Sequence, residues 1–167
     1  MPHTIAGVLP IAQTPFLDDD TIDFASLERQ IDWAFAVGAN GYCTGMVSEL
    51  LRLTAHERVE LTHKLGELNR DRGVFIAGVG AESTNQALEY AREAERAGAA
   101  AVMAIPPLSS RLPPRQVRDY FATLAERISI PVIVQDASGY VGQPIPLAVC
   151  VDLVKQFDPQ KVLFKPE

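Results

Sequence analysis

The sequence predicts an α/β protein of the (β/α)8 TIM-barrel type, with about six strand–helix units present in a single partial-barrel domain, residues 1–167. Three observations predict it. Short apolar runs alternate with longer amphipathic stretches. The runs recur about every 30 residues, the length of one βα unit. Each run is bounded by glycine, proline or a polar turn, as buried parallel strands are.

The runs, in order, are Gly7-Val8-Leu9-Pro10-Ile11-Ala12, Tyr42-Cys43-Thr44, Val74-Phe75-Ile76-Ala77, Ala101-Val102-Met103-Ala104-Ile105, Val132-Ile133-Val134 and Val162-Leu163-Phe164. Five helical patterns lie between them. Phe24, Leu27, Ile31 and Phe35 share one face, as do Leu61, Leu65 and Leu68. Ala87, Ala91 and Ala94 form a close-packing alanine face. Val117, Tyr120, Phe121 and Leu124 follow helical spacing, and Leu147, Cys150, Val151 and Val154 repeat it. Thr54-Ala55-His56-Glu57 and Ser83-Thr84-Asn85-Gln86 both fit a capping box at a helix start. Gly38 and Gly98 stand where helices should end.

Six strands alternating with helices imply a parallel sheet. An open doubly wound sheet that binds a nucleotide would carry a glycine fingerprint after its first strand. None follows Ile11-Ala12-Gln13-Thr14, and Gly78-Val79-Gly80 lacks the third glycine, so it reads as a tight turn. A closed barrel needs roughly 250 residues. Two units are therefore expected to be missing, which would leave a sheet edge unpaired and the mouth open. A catalytically inactive fragment is accordingly one reading of the chain.

Net charge of −6 and a pI near 5.1 argue against nucleic acid as partner. No apolar stretch approaches the roughly 18 residues of a membrane span. Met1-Pro2-His3-Thr4 lacks the features of a signal peptide, so a cytoplasmic location is expected. Cys43 and Cys150 are far apart and read as buried, reduced thiols. His56 and His63 are spaced by seven rather than four, so no metal is expected, and no cofactor either.

Active-site groups of a barrel sit at the C-terminal strand ends. Those positions hold Gln13-Thr14, then Gly45-Met46-Val47-Ser48-Glu49, Gly78-Val79-Gly80-Ala81-Glu82, Pro106-Pro107-Leu108, Gln135-Asp136-Ala137-Ser138-Gly139-Tyr140, and Lys165. Period-2 alternation puts Lys165 on the face of Leu163. A lysine turned into a barrel mouth is costly to keep charged, which frees its amine to condense with a carbonyl as a Schiff base. Position alone leaves a solvated strand-end lysine as the other reading.

The whole set resembles the dihydrodipicolinate synthase/N-acetylneuraminate lyase family of Schiff-base-forming barrels. Gly7-Val8-Leu9-Pro10 with Thr14-Pro15-Phe16 is similar to the family's first strand and turn. The stretch from Gly41 to Glu49 falls on its GTTGE segment, Pro106-Pro107 on its Pro-Pro turn, and Val162-Leu163-Phe164-Lys165-Pro166-Glu167 on the strand with its keto-acid lysine. The resemblance implies that Lys165 is the catalytic amine. Met46 and Val47 replace the threonines that hold the substrate carboxylate, Ser48 replaces a glycine, and Glu49 is kept. Gln135 stands for the proton-relaying tyrosine, Tyr140 for an arginine and Leu108 for another tyrosine. An amide cannot serve as general acid or base near neutral pH.

Ser48-Glu49 and Val134-Gln135-Asp136-Ala137 are similar to the family's 2-keto-3-deoxy sugar-acid dehydratase branch. The resemblance thus implies a lyase acting on a small 2-oxo acid, with dehydration of a sugar acid ahead of aldol cleavage or synthesis with pyruvate. Its catalytic residues would be Lys165, Gln135 and Tyr140, and its substrate-binding residues Met46, Val47, Ser48, Glu49 and Asp136. The base stays open among Tyr140, Glu49, a water and the substrate carboxylate. Intact family members commonly form homotetramers.

Overall fold

The structure, a computed structural model, describes residues 4–142 and 144–166, the side chains of Tyr140 and Val141 excepted. Its elements alternate as α1 (Phe24–Ala36), β1 (Gly41–Cys43), α2 (Ala55–Asn69), β2 (Val74–Gly78), α3 (Thr84–Arg96), β3 (Ala101–Ala104), α4 (Pro114–Arg127), β4 (Val132–Gln135), the short α5 (Ser138–Val141), α6 (Leu147–Gln156) and β5 (Val162–Lys165). The strands form one parallel sheet in the order β1-β2-β3-β4-β5.

The first apolar run does not become a sixth strand of that sheet. Ile11 makes an isolated parallel bridge to Cys43. Ala12 N–H donates to Cys43 O, and Cys43 N–H donates to Pro10 O, both at 2.9 Å. Pro10 has no N–H with which to lengthen the ladder. The run therefore lies beside β1 as a sheet-edge segment.

Alternation sorts the strand side chains into two apolar clusters. Tyr42, Phe75, Ala77, Val102, Val132 and Val134 pack outward into the helices. Cys43, Val74, Ile76, Ala101, Met103 and Ile133 pack on the other face, covered by Leu9, Ile11 and Leu163. Among the described residues, no helix contributes to this second cluster. A doubly wound sheet would carry helices on both faces. One helix-covered face and one self-packed face describe a sheet curled inward, part of a (β/α)8 barrel.

Local signals account for the helices. Leu27 and Ile31 of α1, Leu61, Leu65 and Leu68 of α2, and Ala87, Ala91 and Ala94 of α3 are buried. In α4, Val117, Tyr120, Phe121 and Leu124 are buried as their spacing predicts. Thr54 and Glu57 close both halves of a capping box: Glu57 N–H donates to Thr54 Oγ1 at 3.2 Å, and Thr54 N–H donates to Glu57 Oε2 at 2.7 Å. The second expected box closes only halfway. Ser83 Oγ accepts from Gln86 N–H at 3.2 Å, but the Gln86 amide donates to Tyr90 Oη instead of returning to Ser83. Gly38 (φ +96°) and Gly98 (φ +79°) follow α1 and α3 in the left-handed region that glycine adopts without strain.

The last helix reverses the expected face. Leu147 is 78% exposed, Val151 and Val154 are also exposed, and Val149 and Leu153 are buried instead. α6 carries apolar residues on two faces, and it packs beside α4 on the second. Period alone cannot rank two apolar stripes on one helix.

Candidate active site

Lys165 ends β5, and the strand register sets it directly opposite Gln135 at the end of β4. Asp136 N–H donates to Lys165 O at 3.1 Å and locks that register. Ile133 and Leu163, two residues earlier on each strand, belong to the inner cluster. Alternation therefore carries Gln135 and Lys165 to the same inner face, side by side on the C-terminal rim. Gln135 is buried and Lys165 half-buried.

Cys43 belongs to the same inner cluster of the sheet. Burial pushes its thiol up to about 11, while the Lys165 ammonium pulls it the other way. Cys43 lies on β1 and Lys165 on β5, the two ends of the strand order. Both residues face the inner side of the curled sheet.

The segment after β1 forms the second wall. Met46–Ser48 is a single 3₁₀ turn. Ser48 is fully buried. Its hydroxyl donates to Ala12 O at 2.5 Å and accepts Gly45 N–H at 3.1 Å, while its carbonyl accepts from Thr14 Oγ1 at 2.7 Å. These bonds commit Ser48 to fastening the turn to the first run. Met46 lines a narrow cavity of about 20 Å³ with Arg58, Met103, Ile105 and Gln135, room for about one water. Val47 is exposed at the rim. Glu49, in the left-handed region at φ 61°, is ion-paired with Arg52.

Asp136 also serves a loop. Its Oδ1 accepts Ile145 N–H at 3.0 Å and its Oδ2 accepts the Ser138 hydroxyl at 3.1 Å. Tyr140 falls within α5, and its side chain lies outside the described residues. The structure thus brings Lys165, Gln135 and Met46 to one rim. Ser48 and Asp136 are turned to local hydrogen bonds.

Sequence reasoning missed Arg58. It is buried, with its guanidinium donating to Gly80 O at 3.2 Å and Gly78 O at 3.3 Å and stacked 3.9 Å from the Tyr90 ring centroid. Among the described residues it forms no carboxylate ion pair. Tyr120 completes the support: its hydroxyl accepts Ala81 N–H at 3.2 Å, and burial pushes its phenol up to about 12. The available signal was Arg58's place on the helical face of Leu61 and Leu65. No helix among the described residues is long and apolar enough to cross a membrane.

Residues 4–162 match the model of the dihydrodipicolinate synthetase family. A 4-hydroxy-tetrahydrodipicolinate synthase of Methanococcoides burtonii is 33% identical over 154 residues, 89% of this chain and 51% of that protein. An L-2-keto-3-deoxyarabonate dehydratase of Azospirillum brasilense is 33% identical over 135 residues, 78% of this chain and 44% of that protein. The solved dihydrodipicolinate synthase of Acinetobacter baumannii, complexed with pyruvate, superposes with a TM-score of 0.90 at 27% identity, over 98% of this chain and 56% of that one. The chain spans about half the length of the curated relatives it matches.

Proposed function

The chain belongs to the dihydrodipicolinate synthetase family, and from that premise we propose that it carries the strand framework of a Schiff-base lyase for a small 2-oxo acid, with Lys165 as the amine. The observation that supports this reading is the register of Lys165 opposite Gln135 on the inner face of the curled sheet. In this reading the Lys165 amine attacks C2 of the oxo acid, and water leaves to give a protonated imine. The imine draws electrons from C3, and a base removes the C3 proton to give an enamine. The enamine expels the C4 hydroxyl as water once that oxygen is protonated. Hydrolysis of the remaining imine frees the product and restores the amine.

Gln135 cannot carry the protons, because an amide does not titrate near neutral pH. It can orient the substrate's oxygens from beside Lys165. Glu49 is engaged by Arg52, which leaves Tyr140, a water or the substrate carboxylate as the better candidates for the base. Met46 and Val47 offer no side-chain hydrogen-bond donors, so a substrate carboxylate would rely on backbone N–H groups there.

Dehydration of a 2-keto-3-deoxy sugar acid is the preferred reaction. The Azospirillum brasilense relative acts on such an acid by name, and the stretches Ser48-Glu49 and Val134-Gln135-Asp136-Ala137 favour that branch. Aldol chemistry with pyruvate is the second reading, favoured by the synthases among the relatives and by the pyruvate complex.

Borohydride trapping tests the proposal. Reduction with pyruvate or a 3-deoxy-2-oxo acid is expected to add the mass of the reduced adduct at Lys165, and Lys165→Ala is expected to abolish it. A folded chain that gains no mass with either acid would overturn the reading. Turnover of the sugar acid without cleavage of pyruvate-derived aldols separates the two reactions.

A further inference from the structure

We propose that Glu82 is a positioning residue for the barrel rim: its carboxylate clasps the β3–α4 loop to the β2–α3 loop and thereby fixes Leu108 at one wall of a large cleft. Oε1 accepts Leu108 N–H at 2.9 Å, and Oε2 accepts Ser109 N–H at 3.0 Å. One carboxylate thus takes two successive backbone donors, a grip that two charge-assisted hydrogen bonds make strong and directional.

The gripped loop depends on outside partners. Pro106-Pro107 precede Leu108 and Pro113-Pro114 follow Leu112, and proline has no N–H to bond. Residues 108–112 supply the backbone donors between those pairs, and Glu82 takes the first two. The clasp is anchored from beneath. Arg58 holds the carbonyls of Gly78 and Gly80, and Tyr120 holds Ala81 N–H. A continuous line of contacts runs from α2 through the β2 end to Ser109.

The β3–α4 loop faces a cleft of about 530 Å³ lined by Leu108, Arg111, Pro144 and Ile145 among others. Its far wall is held in a parallel way, because Asp136 accepts Ile145 N–H. Two carboxylates at strand ends therefore set the two walls of one cleft.

Hydrogen exchange read by mass spectrometry tests the clasp on wild type, Glu82→Ala and Glu82→Gln. Glu82→Ala is expected to speed exchange at Leu108 and Ser109 by about tenfold, the scale of losing one such hydrogen bond, with β2 and α4 unchanged. Glu82→Gln keeps one acceptor oxygen and is expected to fall between, and it decides the matter should the alanine variant not fold. Unchanged exchange at Leu108 and Ser109, or a rise spread over the whole molecule, overturns the clasp.

Discussion

At the scale of single residues, this rim uses polar side chains mainly to hold backbone. Ser48, Thr14, Thr44, Glu82 and Asp136 each bond to a main-chain N–H or carbonyl. Where the bond is buried, as at Ser48 and Thr14, the loss is most costly, since removal strands a buried partner. Ser48→Ala leaves Gly45 N–H and Ala12 O without their partner and is expected to cost about 1–3 kcal/mol, read as a lowered denaturant midpoint at constant slope. Arg58→Lys is expected to destabilise as well, because an ammonium cannot reproduce the planar fork that bridges Gly78 and Gly80. The shared face of Lys165 and Leu163 was legible in the sequence, because strand alternation converts position directly into face, while the register that sets Lys165 opposite Gln135 came from the structure. Arg58 was not, because its partners are carbonyls, which every residue possesses and no sequence pattern marks.

At the scale of elements, the capping box of α2 makes a pH-dependent prediction. The Thr54 hydroxyl, and then the Thr54 N–H, hold the Glu57 carboxyl below the ordinary carboxylate range. A carboxyl depressed in the folded state contributes stability above its unfolded value, about 4.3, and loses it as pH falls through the folded value. Thermal melts of wild type and Glu57→Gln are expected to differ near neutral pH, to approach each other once pH falls below about 4.3, and to converge below the folded value. Thr54→Ala removes the other half of the box and is expected to cost about 1 kcal/mol. Five of the six apolar runs became strands within a residue or so, because each is short, apolar and closed by turn residues. The first run fell short because Pro10 interrupts its donors. α6 was misread because two apolar stripes share ten residues, and only the position of α4 selects between them.

At the scale of the molecule, the flanks are unlike the middle. β5 pairs with β4 alone within the sheet, and α6 beside it exposes Leu147, Val151 and Val154. On the opposite flank, α1 exposes Trp33, 66% accessible, and Val37 follows it exposed. Apolar stripes next to an open strand edge favour association. These 167 residues are expected to self-associate as concentration rises, and Trp33→Ser with Val154→Ser is expected to shift sedimentation toward the monomer. An unchanged distribution would assign the association to the β5 backbone instead.

The strand order has a consequence for how the chain is made. Every strand after β1 lies beside the one before it in sequence, so each later strand has one neighbour already synthesised. Each unit of about 30 residues leaves a ribosome within about 2–6 s at ordinary translation rates. On emerging, it meets a finished template strand. The strand order permits vectorial growth of the sheet, with each exposed edge available as a docking surface for the next unit to be translated.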